Sequence, residues 1–109
     1  MTADIHRIVA RIDRSALAHN FSVARQLSGN SRMLAVIKAN AYGHGLIPVA
    51  QALVEADMFG VTDLAEAQLL REGLGDSPAR DKNILILQGS ISPGDIAELA
   101  RQNFQLVVH

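Results

Sequence analysis

The chain has 109 residues, of which 49% are hydrophobic, and its 10 Lys and Arg nearly balance its 11 Asp and Glu. These values are typical of one globular domain, and the small net charge argues against a nucleic acid or an anionic membrane surface as partner. The chain has no cysteine, which excludes disulfides and thiolate metal sites, and no apolar run is long enough for a signal peptide or a membrane span. We therefore expect a cytoplasmic protein.

The chain begins with a predicted strand and a predicted helix. Residues 7–12 alternate loosely between apolar and basic side chains, as a half-exposed strand does. Ser15 is expected to cap a helix that ends near Gly29, because apolar residues recur there at helical spacing. This apolar stripe consists of Leu17, Phe21, Ala24 and Leu27. Residues 33–37 are wholly apolar, which predicts a strand that is covered on both faces and ends at Lys38.

The alternation of helix and strand continues along the rest of the chain. Further helices are expected to begin near Pro48, at the capping-box pair Asp63 and Glu66, and at Ser92. The strands between and after them are expected at residues 58–61, 84–87 and 105–108. The apolar stripes expected in the core are Val49, Leu53 and Val54, then Leu64, Ala67 and Leu70, and finally Ile96, Leu99 and Ala100.

This order of elements predicts an α/β fold with a parallel sheet, because apolar strands alternate with helices. Two architectures fit: an open doubly wound sheet, and part of a (β/α)8 barrel, which takes about 250 residues when complete. In both, ligands bind at the carboxyl ends of the strands. The residues expected at that edge are Lys38, Thr62, Gln88 and His109.

The most informative segment is LAVIKANAYGHG, residues 34–45, in which an apolar strand runs into a lysine. A lysine at this place can be partly desolvated by the sheet, which favours the nucleophilic amine and Schiff-base chemistry with carbonyl compounds. The small residues after Lys38 allow a flat ligand to approach the backbone, and the Tyr42 hydroxyl can bind a phosphate or an oxyanion. A purely structural interpretation also fits: a solvated lysine, a glycine turn and a packed tyrosine ring.

Other constellations of reactive residues predict no further site. The glycines around residue 44 fit neither glycine-rich nucleotide-binding fingerprint, and spacing alone defines no Ser-His-Asp order. The histidines show no spacing typical of metal ligands, so we expect no metal site. They are His6, His19, His44 and His109.

KANAYGHG after an apolar strand closely resembles the pyridoxal-phosphate attachment segment of bacterial alanine racemases. The sequence IDRSALAHN, residues 12–20, is similar to the opening helix of that family. Further matches are FGV at 59–61, EA at 66–67, LR at 70–71 and LVVH at 106–109. The resemblance covers nearly the whole chain in order, although the loop at residues 75–83 is a few residues long for the family.

The resemblance implies a fold-type III pyridoxal-phosphate enzyme. Residues 13–109 would form the first part of a (β/α)8 TIM-type barrel, about its first four βα units. Residues 1–12 would form an initial strand that pairs with a C-terminal β domain outside this chain. Lys38 would be the catalytic lysine that binds the cofactor covalently and moves a proton on the D face of the substrate, and Tyr42 would help to hold the cofactor phosphate.

The same resemblance implies an alanine racemase that supplies D-alanine for peptidoglycan and acts as a homodimer. In the family, a tyrosine from the partner subunit provides the second base. That tyrosine, the arginine facing the pyridine nitrogen and the later strands have no match in these residues. We therefore expect activity of the parent enzyme, and a truncated, inactive 109-residue piece with exposed strand edges.

Alternative functions are a catalytically inactive fragment, a decarboxylase or a pyridoxal-phosphate carrier of the same fold type, and a non-enzymatic module similar to a response regulator. The sequence YGHG at residues 42–45 argues against the decarboxylase and the carrier. The response-regulator module would need clustered acidic residues at strand ends, and only Asp63 lies near one.

Overall fold

The structure is a computed structural model that describes residues 8–89 and 91–108. The strands of this part are β1 (Leu34–Val36), β2 (Met58–Val61), β3 (Asn83–Ile86) and β4 (Gln105–Leu106). The helices are α1 (Arg14–Leu27), α2 (Lys38–Tyr42), α3 (Leu46–Ala52), α4 (Leu64–Leu74) and α5 (Pro93–Arg101), with a 3-10 turn at Pro78–Asp81. No helix within the described ranges combines the length and apolarity needed to cross a membrane.

The strands form one parallel sheet in the order β1-β2-β3-β4. Val36 pairs with Gly60, and Gly60 pairs in turn with Leu85, so the carboxyl ends of neighbouring strands lie side by side. The predicted α/β fold with a parallel sheet is therefore confirmed, and the strand bounds agree with the prediction to within two residues. Strands β1 and β4 are the edges of the sheet in the described residues.

One face of the sheet carries the hydrophobic core. Phe59, Val61 and Ile84 are completely buried on this face, together with Leu70 of α4. Burying side chains of this size stabilises the fold by about 1.5–3 kcal/mol each. The core thus holds the helices against one face of the sheet and leaves the carboxyl ends of the strands uncovered by it.

The opposite face of the sheet is apolar but only partly covered. Leu34 and Val36 point to this face and are 37% and 40% exposed. The prediction that residues 33–37 are covered on both faces is therefore wrong for the described part of the chain. The reason is that the helices pack against the side that carries Ala35 and Ile37.

The apolar stripes of the outermost helices are buried only in part. In α1, Leu17 and Phe21 pack against the core, whereas Leu27 is 84% exposed. In α5, Leu99 is buried and Ile96 is 53% exposed. Exposed members of the predicted stripes also include Ala24 and Ala100. These two helices flank the edge strands, so among the described residues each has a neighbouring helix on one side only. The prediction that their apolar stripes lie in the core is therefore wrong for the exposed members.

The helix caps follow the sequence closely, with one correction. Asp13, not Ser15, caps α1, because its carboxylate accepts hydrogen bonds from the backbone N–H groups of Ser15 and Ala16 at 2.9 and 3.1 Å. Asp63 and Ser92 cap α4 and α5 as predicted. Each cap supplies an acceptor for N–H groups that the helix leaves without an internal partner.

The initial strand predicted at residues 1–12 stays a prediction. Residues 1–7 lie outside the described part of the chain. Residues 8–12 are exposed and irregular, and Ile8 is 91% exposed. The predicted surface loop at residues 75–83 is present and contains the 3-10 turn, whose Ala79 is buried.

Candidate functional site

The carboxyl edge of the sheet brings together residues that are distant in sequence. Lys38 follows β1, Thr62 follows β2 and Gln88 follows β3. Two of them are directly linked, because the Gln88 N–H donates to the Thr62 carbonyl at 3.0 Å. The sequence predicted this clustering for all three, whereas the fourth predicted edge residue, His109, lies outside the described residues.

Lys38 stands at the point where the sheet ends. The Ile37 N–H donates to the Gly60 carbonyl at 2.8 Å, which is the last backbone bond between β1 and β2, and Ile37 itself is 2% exposed. Lys38 is exposed. The expected partial desolvation by the sheet is therefore not found in the described residues, because Lys38 lies just beyond the edge that could cover it.

The five residues from Lys38 to Tyr42 form the lysine turn, and the backbone of the four residues after Lys38 is left-handed. Ala39, Asn40 and Ala41 have φ values of 53°, 56° and 55°, and Tyr42 continues the series at 56°. This conformation costs an ordinary L-residue roughly 1–2 kcal/mol. Such strain persists only where the surrounding structure enforces it, and it is concentrated at functional sites. The sequence suggested small, flexible residues here, but the structure holds them in one defined shape.

Hydrogen bonds inside the segment hold the lysine turn closed. The Asn40 side-chain carbonyl accepts from the Leu46 N–H at 2.9 Å, and its backbone carbonyl accepts from Gly43 and Gly45. The His44 ring nitrogen Nδ1 lies 2.9 Å from the Ala41 carbonyl oxygen. Because a carbonyl oxygen can only accept, Nδ1 carries the proton in this contact. Asn40 and His44 thus have structural roles in a segment where the sequence assigned them none.

Glu66 supplies the remaining partners of the lysine turn from another element. Its carboxylate accepts from the backbone N–H groups of Ala39 at 3.1 Å and Asn40 at 2.9 Å, and also from that of Thr62 at 2.9 Å. The sequence predicted Glu66 as half of a capping box with Asp63. Asp63 does accept from the Glu66 N–H at 2.9 Å, which is one half of a capping box. The other half is wrong, because the Glu66 carboxylate accepts from the lysine turn and not from the Asp63 N–H.

The electrostatics of Glu66 match this arrangement. Burial raises the pKa of the Glu66 carboxyl, but the N–H groups of Asn40, Thr62 and Ala39 together hold that pKa below its ordinary value of 4.5. N–H groups that point at a carboxylate favour its charged form. Glu66 is therefore a carboxylate at neutral pH, and the three backbone N–H groups that donate to it stabilise its negative charge.

A small cavity lies beside the lysine turn. It has a volume of 230 Å³, and Val36, Tyr42 and His44 contribute to its walls, which are mostly apolar. Tyr42 is 60% exposed, so its hydroxyl can reach a ligand at the edge of the sheet. Tyr42 is also the last residue of the turn that begins at Lys38, so the two predicted site residues belong to one local structure.

A larger cavity of 620 Å³ lies elsewhere, between the starts of α4 and α5. Its walls include the carboxylates of Asp63 and Asp95 and no residue of the lysine turn. Two carboxylates disfavour an anionic ligand, so this larger cavity is a poor candidate for a phosphate site. Among residues 8–89 and 91–108, no three His, Asp or Glu side chains come together as metal ligands.

Comparison with known proteins finds one family. A family model described as "Alanine racemase, N-terminal domain" matches residues 12–109. The alanine racemase of Aeromonas hydrophila is 44% identical over 101 residues, which are 93% of this chain and 27% of that protein. The solved alanine racemase of Acinetobacter baumannii has a TM-score of 0.81 at 37% identity, covering 90% of this chain and 26% of that one. An alanine racemase from Bartonella henselae, solved with covalently bound pyridoxal phosphate, has a TM-score of 0.75 at 28% identity, covering 87% of this chain and 27% of that one.

These matches confirm the resemblance predicted from KANAYGHG and decide the architecture. The four parallel strands and their helices are the N-terminal part of a TIM-type barrel and not an open doubly wound sheet. The chain spans about a quarter of the length of the curated relatives it matches. The partly covered face with Leu34 and Val36 is accordingly the side that faces the inside of such a barrel.

Proposed function

The chain belongs to the alanine racemase family, and we propose that its parent protein interconverts L-alanine and D-alanine with pyridoxal phosphate. The observation that carries the proposal is the position of Lys38. It is an exposed amine at the carboxyl end of a barrel strand, where barrel enzymes bind their ligands, and a strained turn follows it directly. The covalently bound pyridoxal phosphate of the Bartonella henselae relative supports a lysine in this role.

The residues present fit pyridoxal phosphate. The cofactor has an aldehyde, which requires an amine, and a phosphate, which requires hydrogen-bond donors. Lys38 offers the amine and Tyr42 offers a hydroxyl from the other end of the same turn. A Cβ atom added at Gly43 would meet nothing within 4 Å, so the backbone is open to a flat ligand at this point.

Lys38 has two tasks in the proposed reaction. It would bind the cofactor covalently through Nζ, and once the amino group of alanine has displaced it, its free amine would take or return the Cα proton on the D face. When bound, pyridoxal phosphate withdraws electrons from Cα and so makes that proton removable. Tyr42 would help to hold the cofactor by donating a hydrogen bond from its hydroxyl to the phosphate.

Racemisation requires a second base on the opposite face of Cα. We propose that the parent protein is a homodimer in which the partner subunit supplies a tyrosine for this task. Residues 13–109 would belong to the barrel, and residues 1–12 would pair with a C-terminal β domain. The role in supplying D-alanine for peptidoglycan and the cytoplasmic location belong to the same proposal.

Chiral analysis of alanine tests the proposed reaction. The full-length parent protein should form D-alanine from L-alanine and L-alanine from D-alanine, and Lys38→Ala should form neither. Lys82→Arg is the matched control, because Lys82 lies at the other end of a strand and has no proposed role. An amine product without D-alanine would indicate decarboxylation and overturn the proposal.

A further inference from the structure

Glu66 connects two parts of the site that are far apart in the sequence. One carboxylate oxygen lies 3.1 Å from the Ala39 nitrogen and 2.9 Å from the Thr62 nitrogen, and the other lies 2.9 Å from the Asn40 nitrogen. Ala39 and Asn40 are the first two left-handed residues after Lys38. Glu66 thus fastens the lysine turn to the carboxyl end of the neighbouring strand β2.

Only an ionised carboxylate satisfies this set of partners. All three neighbours are N–H donors, and both carboxylate oxygens accept. A glutamine has one accepting oxygen and one donating NH₂ group, so it would leave at least one N–H facing another donor. Hydrogen bonds to a charged acceptor are also roughly twice as strong as those between neutral groups.

The turn needs such an external support. Its residues are held at positive φ, a conformation that Ala and Tyr adopt only at a cost. Bonds within the segment close it, and Glu66 is, in the part of the chain that the structure describes, the side chain from another element that accepts from its backbone. Removing Glu66 would let the first residues after Lys38 relax without breaking the sheet.

We propose that Glu66 is a positioning residue for Lys38. It holds the left-handed turn in place and so fixes the backbone from which Lys38 and Tyr42 extend toward the cofactor. This assignment rests on the proposed function, since it gives Glu66 the task of placing the lysine that binds pyridoxal phosphate. A misplacement of about 1 Å at a reacting group can cost a hundredfold in rate.

Amide hydrogen exchange of the full-length protein tests the support directly. In Glu66→Gln, the protection of the Ala39 and Asn40 amides should fall about tenfold, the effect of losing one charge-assisted hydrogen bond. Glu66→Ala should lower it further, and amides within α4 should keep their protection in both variants. Glu72→Gln is the matched control on the same helix, because Glu72 is exposed, and it should leave the turn unchanged. Unchanged protection of the turn in Glu66→Gln would overturn the proposal.

Steady-state kinetics test the consequence for Lys38. In this assignment Glu66 contacts the backbone of the lysine turn and does not contact alanine. Glu66→Gln should therefore lower kcat about tenfold, while KM for alanine changes less than about twofold. Glu72→Gln should keep both constants. A rise in KM with unchanged kcat would overturn the positioning role. If the unmodified protein does not racemise alanine, the proposed function fails, and the exchange experiment still decides whether Glu66 supports the turn.

Discussion

Replacing residues of the lysine turn by glycine, or glycine by alanine, tests whether the turn is left-handed. In Ala39→Gly the new residue adopts the φ of 53° without strain, which removes a cost of roughly 1–2 kcal/mol. Glycine also makes the unfolded chain more flexible, which takes back about 0.4–1 kcal/mol. Because Ala39 is exposed, loss of its methyl group removes little packing. We therefore expect Ala39→Gly to raise the free energy of unfolding by about 1 kcal/mol.

The reverse change should have the opposite sign. Gly43 has φ 88°, and an added Cβ would meet nothing within 4 Å, so Gly43→Ala changes the backbone preference without a clash. The same two contributions predict a loss of about 1 kcal/mol. Ala18→Gly is the matched control: Ala18 is exposed in the right-handed helix α1, where glycine should destabilise by about 0.5–1 kcal/mol.

Urea unfolding of the full-length protein at a fixed cofactor concentration measures these differences, provided that the m-value stays constant. The expected order of stability is Ala39→Gly, the unmodified protein, and then Gly43→Ala together with Ala18→Gly. If Ala39→Gly lowers the midpoint as much as Ala18→Gly does, the turn is not left-handed at residue 39 and the account of the site is refuted.

Two further substitutions test contacts that stabilise the fold, one before β2 and one between α4 and α3. The backbone N–H of Met33 and the guanidinium of Arg25 hold the pKa of Asp57 below its ordinary value of 3.8, so its stabilisation is complete above pH 3.8 and is lost as the pH falls through the folded value. Asp57→Asn should lower the urea midpoint at neutral pH, and the difference from the unmodified protein should disappear as the pH falls through the folded pKa of Asp57. A difference that stays the same at low pH would contradict this. Gly73→Ala would place a Cβ 2.7 Å from Ile47 Cγ1, so the overpacking cost of about 1–3 kcal/mol should exceed the helix-propensity gain of about 0.5–1 kcal/mol. A double-mutant cycle with Ile47→Ala should show a coupling between the two positions, and additive effects would contradict the proposed clash.

The sequence predicts the order of the elements well because that order depends on local patterns. Each strand is a short apolar run, and the position of Lys38 after β1 follows from where that run stops. Asp63 and Ser92 were correct as caps because a cap contacts residues two or three positions away. The edge of the sheet as a ligand site follows from topology alone.

The sequence does not predict which side chains form hydrogen bonds to elements that are distant along the chain. Glu66 has capping-box spacing with Asp63, yet its carboxylate bonds to residues 26 and 27 positions away, a competition that local spacing cannot show. The left-handed turn was missed because Ala and Tyr rarely adopt it, and only Asn40 and Gly43 gave a signal. The exposure of Leu27 and Val36 depends on which neighbours flank α1 and cover the sheet, and periodicity carries no such information.

The most direct measurement is the site of cofactor attachment. The full-length protein is loaded with pyridoxal phosphate, reduced with borohydride, digested and mapped by mass spectrometry. We predict that the label lies on Lys38, that Lys82→Arg keeps it there, and that Lys38→Arg loses it. A label on Lys82, or on any lysine outside residues 34–45, would contradict the central claim that the lysine turn carries the cofactor.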